Sequence, residues 1–245
     1  MKANRVWILV KGELSRLHKY NVTSISFFVA ILWGLVLYFL DTDIFNKVLP
    51  LILLVDASMM SIMYIGSVMF FEKSESTIST MLVTPTTNSE LVLSKVIANI
   101  IHNMLSSTLI IIAFIFIKDV QLNYFLLFLG IFAATAFHTI LGLFMAYYQK
   151  NFTGMLINIM AIVFIMMIPT VLYELNVLKA AFWEYLLLIN PMQAAAEVLN
   201  AGFKGYEFNW IYFVSLAYML VGAVLIYVFV ALPKFKKYAI KQSGV

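Results

Sequence analysis

Long apolar runs dominate this sequence, and they limit the chain to one class of fold. The 245 residues are 63% hydrophobic and only 11% charged, with a mean hydropathy of +0.97. A water-soluble domain needs more polar surface than this composition supplies. The runs approach or exceed the length of about 18 residues that crosses the hydrocarbon core of a bilayer. We therefore predict an all-α polytopic membrane protein, with residues 1–245 forming a single transmembrane domain.

The apolar runs predict six transmembrane helices. They cover roughly residues 22–40, 48–71, 97–117, 124–147, 152–172 and 208–232. The first run follows about twenty charged, periodic residues and lacks a small-x-small cleavage site, so a cleaved signal peptide is not expected. The chain has no cysteine, which excludes disulfides, cysteine metal sites and thiol catalysis.

The basic residues lie mostly on one side of the predicted membrane. Of the 16 Lys and Arg residues, twelve fall in the N-terminal segment, the second-to-third and fourth-to-fifth connections and the C-terminus. The other four are Lys47, Lys118, Lys179 and Lys204. The positive-inside rule then predicts a multi-pass membrane protein with both termini in the cytoplasm. We expect its location to be the cell membrane of a prokaryote. A net charge of +4 on such a protein reports orientation, so we expect no nucleic-acid partner.

The N-terminal segment, residues 1–21, has the pattern of a helix lying in the membrane interface. Its apolar residues recur at helical spacing and its basic residues fall off that stripe. We assign the stripe to Trp7, Val10, Leu14 and Leu17. A basic anchor for anionic membrane lipid is an equally compatible interpretation of this helix.

The loop between spans two and three, residues 72–94, carries the signals of a short helix with a firm stop. Three apolar residues recur there at helical spacing: Ile78, Met81 and Leu82. Pro85 disfavours helical geometry at the residue before it and ends this helix. Thr87 and Glu90 then fit a capping box that begins span three. The pattern predicts a small helix across the cytoplasmic end of the bundle.

The motifs of common membrane-enzyme chemistry are missing from the chain. It has no Gly-x-x-x-x-Gly-Lys-[Ser/Thr] loop, so it cannot hold ATP phosphates in that manner. It has no His-Glu-x-x-His motif, and its three histidines do not cluster in sequence. We predict no catalytic residue and no metal site in this chain.

At the residue level, the loop between spans two and three resembles that of ABC-2-type (type V) ABC transporter permeases. Members of that family tend to read Glu-Arg-Glu-x-Gly-Thr-Leu, then Thr-Pro, then Glu-Leu and a lysine before the next span. The matching residues here are Glu72-Lys73, Glu75-Ser76-Thr77-Ile78, Leu82, Thr84-Pro85, Glu90-Leu91 and Lys95. The chain departs from the pattern at Lys73, Ser76 and Asn88.

A second resemblance lies between spans five and six, in residues 186–203. Asn190-Pro191 followed by a small-residue helix with Glu197 is similar to the family's pattern at this place. The resemblance implies that the segment 173–207 holds a re-entrant helical hairpin that dips from the outer face.

The resemblance also implies partners. The short cytoplasmic helix would be a coupling helix that docks on a separate ATP-binding subunit, and residues 1–21 would be a connecting helix that contacts the same subunit. We assign the coupling contacts to Glu72, Glu75, Ser76, Thr77, Ile78, Met81, Leu82 and Pro85. Ile78 and Leu82 would insert into the partner, on a helix face that touches no span.

By the same resemblance, the chain would be the permease of an exporter built from two copies of itself and two ATPase subunits that hold ATP and Mg²⁺. Spans two and five would line the pathway, for which we assign Asp56, Met59, Met63 and Asn158. Methionine-rich stretches suit amphipathic cargo such as a peptide, toxin or drug. The alternatives are a secondary transporter, which would need inverted repeats and charged midplane sites, and an intramembrane enzyme, which would need clustered polar groups.

Overall fold

The computed structural model describes residues 3–118, 120–149 and 151–242 of the chain, and the described part is helical almost throughout. The helices are α1 (Ala3–Lys19), α2 (Val22–Tyr38), α3 (Thr42–Leu54), α4 (Ser61–Ser74), α5 (Thr77–Leu82), α6 (Asn88–Ile117), α7 (Tyr124–Ala146), α8 (Phe152–Glu174), α9 (Ala181–Leu187), α10 (Pro191–Asn200), α11 (Trp210–Ile226) and α12 (Leu232–Gln242). Short π-helical segments, Val55–Met60 and Tyr227–Ala231, join α3 to α4 and α11 to α12.

The helices long and apolar enough to cross a membrane agree with the predicted spans. Among the described residues five continuous helices qualify, and a sixth span is obtained if α1 and α2 count as one bent pair. These two helices meet at 64°, and Asn21 between them has a left-handed φ of 60°. Because α2 alone is strongly apolar and α1 is amphipathic, we take α2 as the span and α1 as the helix beside it. The predicted all-α polytopic class is confirmed.

Helix α7 is the centre of the bundle. Most of its residues from Leu127 to Ala146 are buried, and it packs against α4, α6, α10 and α11. Helices α8 and α11 instead leave many large apolar side chains exposed. A membrane protein places such side chains against lipid or another subunit, because neither of these surroundings requires a polar surface.

The two ends of the bundle are built differently. One end, here called the basic end, carries α1, α5 and α12, where α5 packs against α4 and α12. The opposite end carries α9 and α10, and α10 is buried against α7, α11, α3 and α8. A side chain at Gly130 of α7 would bring its Cβ within 2.5 Å of the Val198 carbonyl oxygen of α10, so only glycine permits this close approach.

Candidate functional site

The α4–α6 segment, residues 75–87, is tied to helix α1 at both of its ends. At one end Lys19 Nζ lies 2.9 Å from Glu75 Oε2, and the Tyr20 hydroxyl donates to the same oxygen at 2.8 Å. The hydrogen bond from Lys19, with that from Tyr20, holds the pKa of Glu75 below its usual value. At the other end Arg5 Nη1 donates to the Pro85 carbonyl at 2.6 Å. Helix α1 therefore holds the segment at both of its ends.

Behind this segment lies a buried ion cluster made of Glu13, Arg16, Glu72 and Lys95. Lys95 Nζ is 2.5 Å and 2.6 Å from the two Glu72 oxygens and 2.8 Å from Glu13 Oε1. Arg16 Nη1 is 2.6 Å from Glu13 Oε1 and 3.2 Å from Glu72 Oε1. Lys95, Glu72 and Glu13 are at most 2% exposed, and only Arg16 reaches the surface, at 27%. The cluster joins α1, α4 and α6 and contains two carboxyl groups and two basic groups.

Local sequence signals bring these charges together. Ser76, with a left-handed φ of 56°, breaks the chain after α4 and leaves Glu72 in the last turn of that helix. Thr87 and Glu90 form both hydrogen bonds of a capping box, which begins α6 at Asn88 and confirms that prediction. Lys95 lies two turns into α6, on the side that faces α4 and α1.

The predicted coupling residues divide into an inner and an outer set, which corrects part of the sequence-based picture. Ile78 is 1% exposed and belongs to the main core together with Phe235, Tyr238 and Ala239 of α12. Met81 packs against the same core, and Glu72 lies inside the ion cluster. The expectation that the apolar face of α5 touches no span is wrong, because α12 covers it. Ile78 and Glu72 are not available to a partner in this structure.

The outer set faces solvent. Glu75, Ser76 and Pro85 are exposed, whereas Thr77 is half-buried and donates from Oγ1 to the Glu72 carbonyl at 3.0 Å. The side chain of Leu82 lies outside the described residues. Val83, which the sequence interpretation left out, is 85% exposed at the end of α5 and is a large exposed apolar side chain among the described residues of the segment. The sequence signal that could have indicated its exposure is its place directly after the predicted stripe and before the Thr-Pro turn.

Helix α1 uses most of the predicted stripe, with one correction. Val10 and Leu17 are buried and Leu14 is half-buried against the bundle. Trp7 is 52% exposed, and Val6 takes its place in the stripe against Ala98 of α6. Glu13 also lies on this buried side, so a charged residue within an apolar stripe was the sequence signal for the ion cluster.

Asp56 lies in the interior of the bundle within the π-helical segment Val55–Met60. It is 0% exposed, and its two carboxylate oxygens accept hydrogen bonds from Ser106 Oγ at 2.9 Å and Ser107 Oγ at 2.5 Å. A position on the pathway stays a prediction, but a side chain enclosed in this way within one copy has no surface to offer to cargo.

Next to Asp56 is a chain of buried amides and hydroxyls. Asn103 Nδ2 donates to Ser61 Oγ, and Asn99 Nδ2 donates to Thr139 Oγ1 at 2.7 Å and to the Ser61 carbonyl at 3.2 Å. These bonds connect span two to α6 and α7. Interhelical hydrogen bonds of this kind help to fix packing where no hydrophobic driving force acts between spans.

The other predicted pathway residues are closer to the surface. Met59 and Met63 are half-buried in a methionine-rich cluster where α4 meets α8, together with Met145, Met155, Met166, Met167 and Met192. Asn158 is exposed on α8 and donates from Nδ2 to Gln149 Oε1 at 3.0 Å. The structure therefore leaves these three residues more exposed than Asp56, which is fully enclosed.

At the opposite end, the Asn-Pro motif begins α10. Asn190 caps the helix through its Oδ1, and Pro191 takes the first helical position. The Asn190 Nδ2 donates to the Met166 carbonyl at 2.7 Å and to Thr170 Oγ1 at 3.1 Å. Glu197 accepts a 2.5 Å hydrogen bond from the Tyr206 hydroxyl. These three residues therefore anchor the short helices between α8 and α11.

Within the described ranges, no group of three or more His, Asp or Glu side chains is arranged to hold a metal ion. The described polar clusters are instead held together mainly by hydrogen bonds and ion pairs between their own side chains.

Comparison with known proteins assigns the family. A family model described as ABC-2 type transporter matches residues 4–204, which covers α1 through α10 and most of the chain. None of the curated proteins compared with the chain matches it. The family resemblance seen in the residues of the α4–α6 segment and the Asn-Pro motif is thus confirmed over a much longer range. The chain belongs to the ABC-2 type transporter family and is a membrane-spanning permease.

Proposed function

We propose that this chain is the transmembrane subunit of an ATP-driven exporter, in which two copies form the pathway and each binds one ATPase subunit. The α4–α6 segment supports the proposal most directly. It is held on α1 through Glu75 and Pro85, backed by the ion cluster, and it presents Val83 to solvent. A rigidly held loop with an exposed apolar side chain suits a contact that transmits movement between subunits.

The coupling contact is proposed to centre on Val83 rather than on Ile78. ATP and Mg²⁺ would be bound and hydrolysed by the partner, so this chain would carry no catalytic residue of its own. The exposed apolar faces of α8 and α11 provide room for contact with a second copy and with lipid. The methionine-rich cluster between α4 and α8 would offer adaptable apolar contacts to amphipathic cargo such as a peptide, toxin or drug.

The coupling contact is tested by Val83→Asp. The substitution puts a carboxylate into the proposed apolar contact, where it would lie unpaired. We expect the variant to be produced and folded normally but to lose co-purification of the ATPase and ATP-dependent transport in vesicles. Val177→Asp is the matched control, because Val177 is also exposed, at 61%, but lies in the connection after α8 at the opposite end. Full ATPase binding by Val83→Asp, or equal loss in both variants, would reject the proposed contact.

The proposed orientation places the basic end in the cytoplasm. Because the chain has no cysteine, single cysteines introduced at the exposed positions Ser15 and Lys204 report on the two ends separately. A membrane-impermeant thiol reagent should label Lys204→Cys in intact cells and Ser15→Cys only after the membrane is opened. The reverse pattern would invert the orientation.

A further inference from the structure

A small cavity lies between α1, α4 and α6, directly beside the ion cluster. It is lined by Glu13, Leu17, Ile65, Val68, Lys95, Ala98 and Asn99, and its volume is about 10 Å³ when measured as the space open to the centre of a water molecule. That is the room required by one water.

Two of the residues that line this cavity each have a side-chain oxygen with no hydrogen-bond donor among the described residues. Glu13 Oε1 receives bonds from Lys95 and Arg16, whereas Glu13 Oε2 is buried and receives none. Asn99 Nδ2 donates to Thr139 and Ser61, which fixes the amide, and Asn99 Oδ1 is likewise buried without a donor. Both residues are at most 2% exposed. A buried acceptor left unpaired destabilises the fold, so two such acceptors beside one cavity strongly favour a shared donor.

We propose that the cavity binds one structural water, which donates one hydrogen to Glu13 Oε2 and the other to Asn99 Oδ1. Water fits because the site offers two acceptors and otherwise mostly apolar walls. A monovalent cation fits poorly, since the two carboxylates of the ion cluster already face the two positive charges of Lys95 and Arg16. A third positive charge would be buried without a balancing anion.

The water would join two separate hydrogen-bonded groups. On one side is the ion cluster that holds α1 against α4 and α6, and on the other is Asn99 with its bonds to span two and α7. The water would then extend the network around α1 to the hydrogen bonds that Asn99 makes with Ser61 and Thr139. The inference rests on the cavity and its two acceptors, independently of the proposed export function.

The site can be tested on the full-length protein by X-ray hydroxyl-radical labelling in H₂¹⁸O, which oxidises buried side chains beside bound water. We expect ¹⁸O label on Leu17 and Val68, which line the cavity, and none on Leu49 and Leu53, which are equally buried but do not. Ala98→Val should fill the cavity and abolish the label on Leu17 and Val68. Normal elution of the variant in size-exclusion chromatography would confirm that it folds.

Three results would overturn the proposal. The first is the absence of label on Leu17 and Val68 in the parent protein. The second is an unchanged level of label in folded Ala98→Val, and the third is evidence that a cation occupies the cavity in place of water. The last would show as a rise in melting temperature when sodium chloride replaces choline chloride at equal ionic strength, lost in Asn99→Leu. If Ala98→Val does not fold, density between Glu13 Oε2 and Asn99 Oδ1 in a high-resolution map of the parent protein decides, and its absence there rejects the site.

Discussion

Span two carries two fully buried carboxylates, Asp56 and Glu72, that are balanced in opposite ways. Both are 0% exposed. Glu72 forms ion pairs with the ammonium group of Lys95 and the guanidinium group of Arg16. Positive charges therefore offset the cost of burying its carboxylate. In its described hydrogen bonds, Asp56 accepts only from the hydroxyls of Ser106 and Ser107. Neutral donors therefore offset the cost of burying its carboxylate.

The difference shows which carboxylate the fold depends on. Removing one partner from a buried ion pair leaves the other charge without compensation, which is strongly destabilising. A carboxylate held by hydroxyls can be replaced by an amide, which keeps one accepting oxygen, at a smaller loss because no opposite charge is left without its partner. We therefore expect the fold to need Glu72 at the basic end and to tolerate change at Asp56 in the interior.

The largest effect is expected for Lys95→Met. Glu13 and Glu72 would then share only Arg16 while buried, and the free energy of unfolding should fall by about 3–5 kcal/mol. Unfolding in detergent, followed by fluorescence, measures the loss. The double variant Lys95→Met, Glu72→Leu leaves the Glu13–Arg16 pair intact and should recover most of it. A single variant as stable as the double would show that the cluster does not stabilise the fold.

A matched pair of amide substitutions tests the comparison directly. Glu72→Gln leaves two cations with one carboxylate and should cost about 2–3 kcal/mol, since bonds between charged groups are lost. Asp56→Asn keeps an acceptor for one serine, and the other serine can turn to a carbonyl of its own helix, so its cost should be about 1 kcal/mol or less. Equal losses in the two variants would show that charge compensation does not separate these sites.

The same Asp56→Asn variant bears on cargo. A role of Asp56 in transport stays a prediction, and it requires that transport or cargo-stimulated ATPase activity change while assembly and stability do not. Wild-type transport in a stable variant would leave Asp56 with a structural role alone.

The smallest effect on stability is expected for Lys19→Ala. Lys19 and Glu75 form an exposed ion pair, at 61% and 37% side-chain exposure, and such pairs contribute little because solvent screens them. The unfolding midpoint should stay unchanged within error in a thermal melt. ATPase binding should weaken, since the pair holds one end of the α4–α6 segment in place. A clear loss of stability would show that this outer pair acts together with the ion cluster.

Local signals made much of this structure predictable. The six apolar runs gave the spans, Pro85 gave the end of α5, and Thr87 with Glu90 gave the start of α6. Each of these depends on residues close together in sequence, where helix periodicity and capping chemistry decide the outcome.

Contacts between distant segments were not predictable in the same way. Ile78 looked like an open contact because nothing nearby covers it, yet α12 returns more than 150 residues later to do so. Glu13 and Lys95 are 82 residues apart, and neither reveals its partner locally. Val83 was passed over because its exposure depends on where α5 ends, which is a matter of tertiary packing.

The 82-residue separation of Glu13 and Lys95 also sets an order of events during synthesis. At roughly 5–20 residues per second, a ribosome needs roughly 4–16 s to extend the chain from one to the other. Throughout this interval Lys95 has not been made and the buried site does not exist. Glu13 and Arg16 must therefore stay hydrated at the membrane surface. Arg16, which is counted among the residues that orient the chain in the predicted topology, can therefore act as a free positive charge while the first spans insert. Only when span three is complete can the same charges become part of the protein interior.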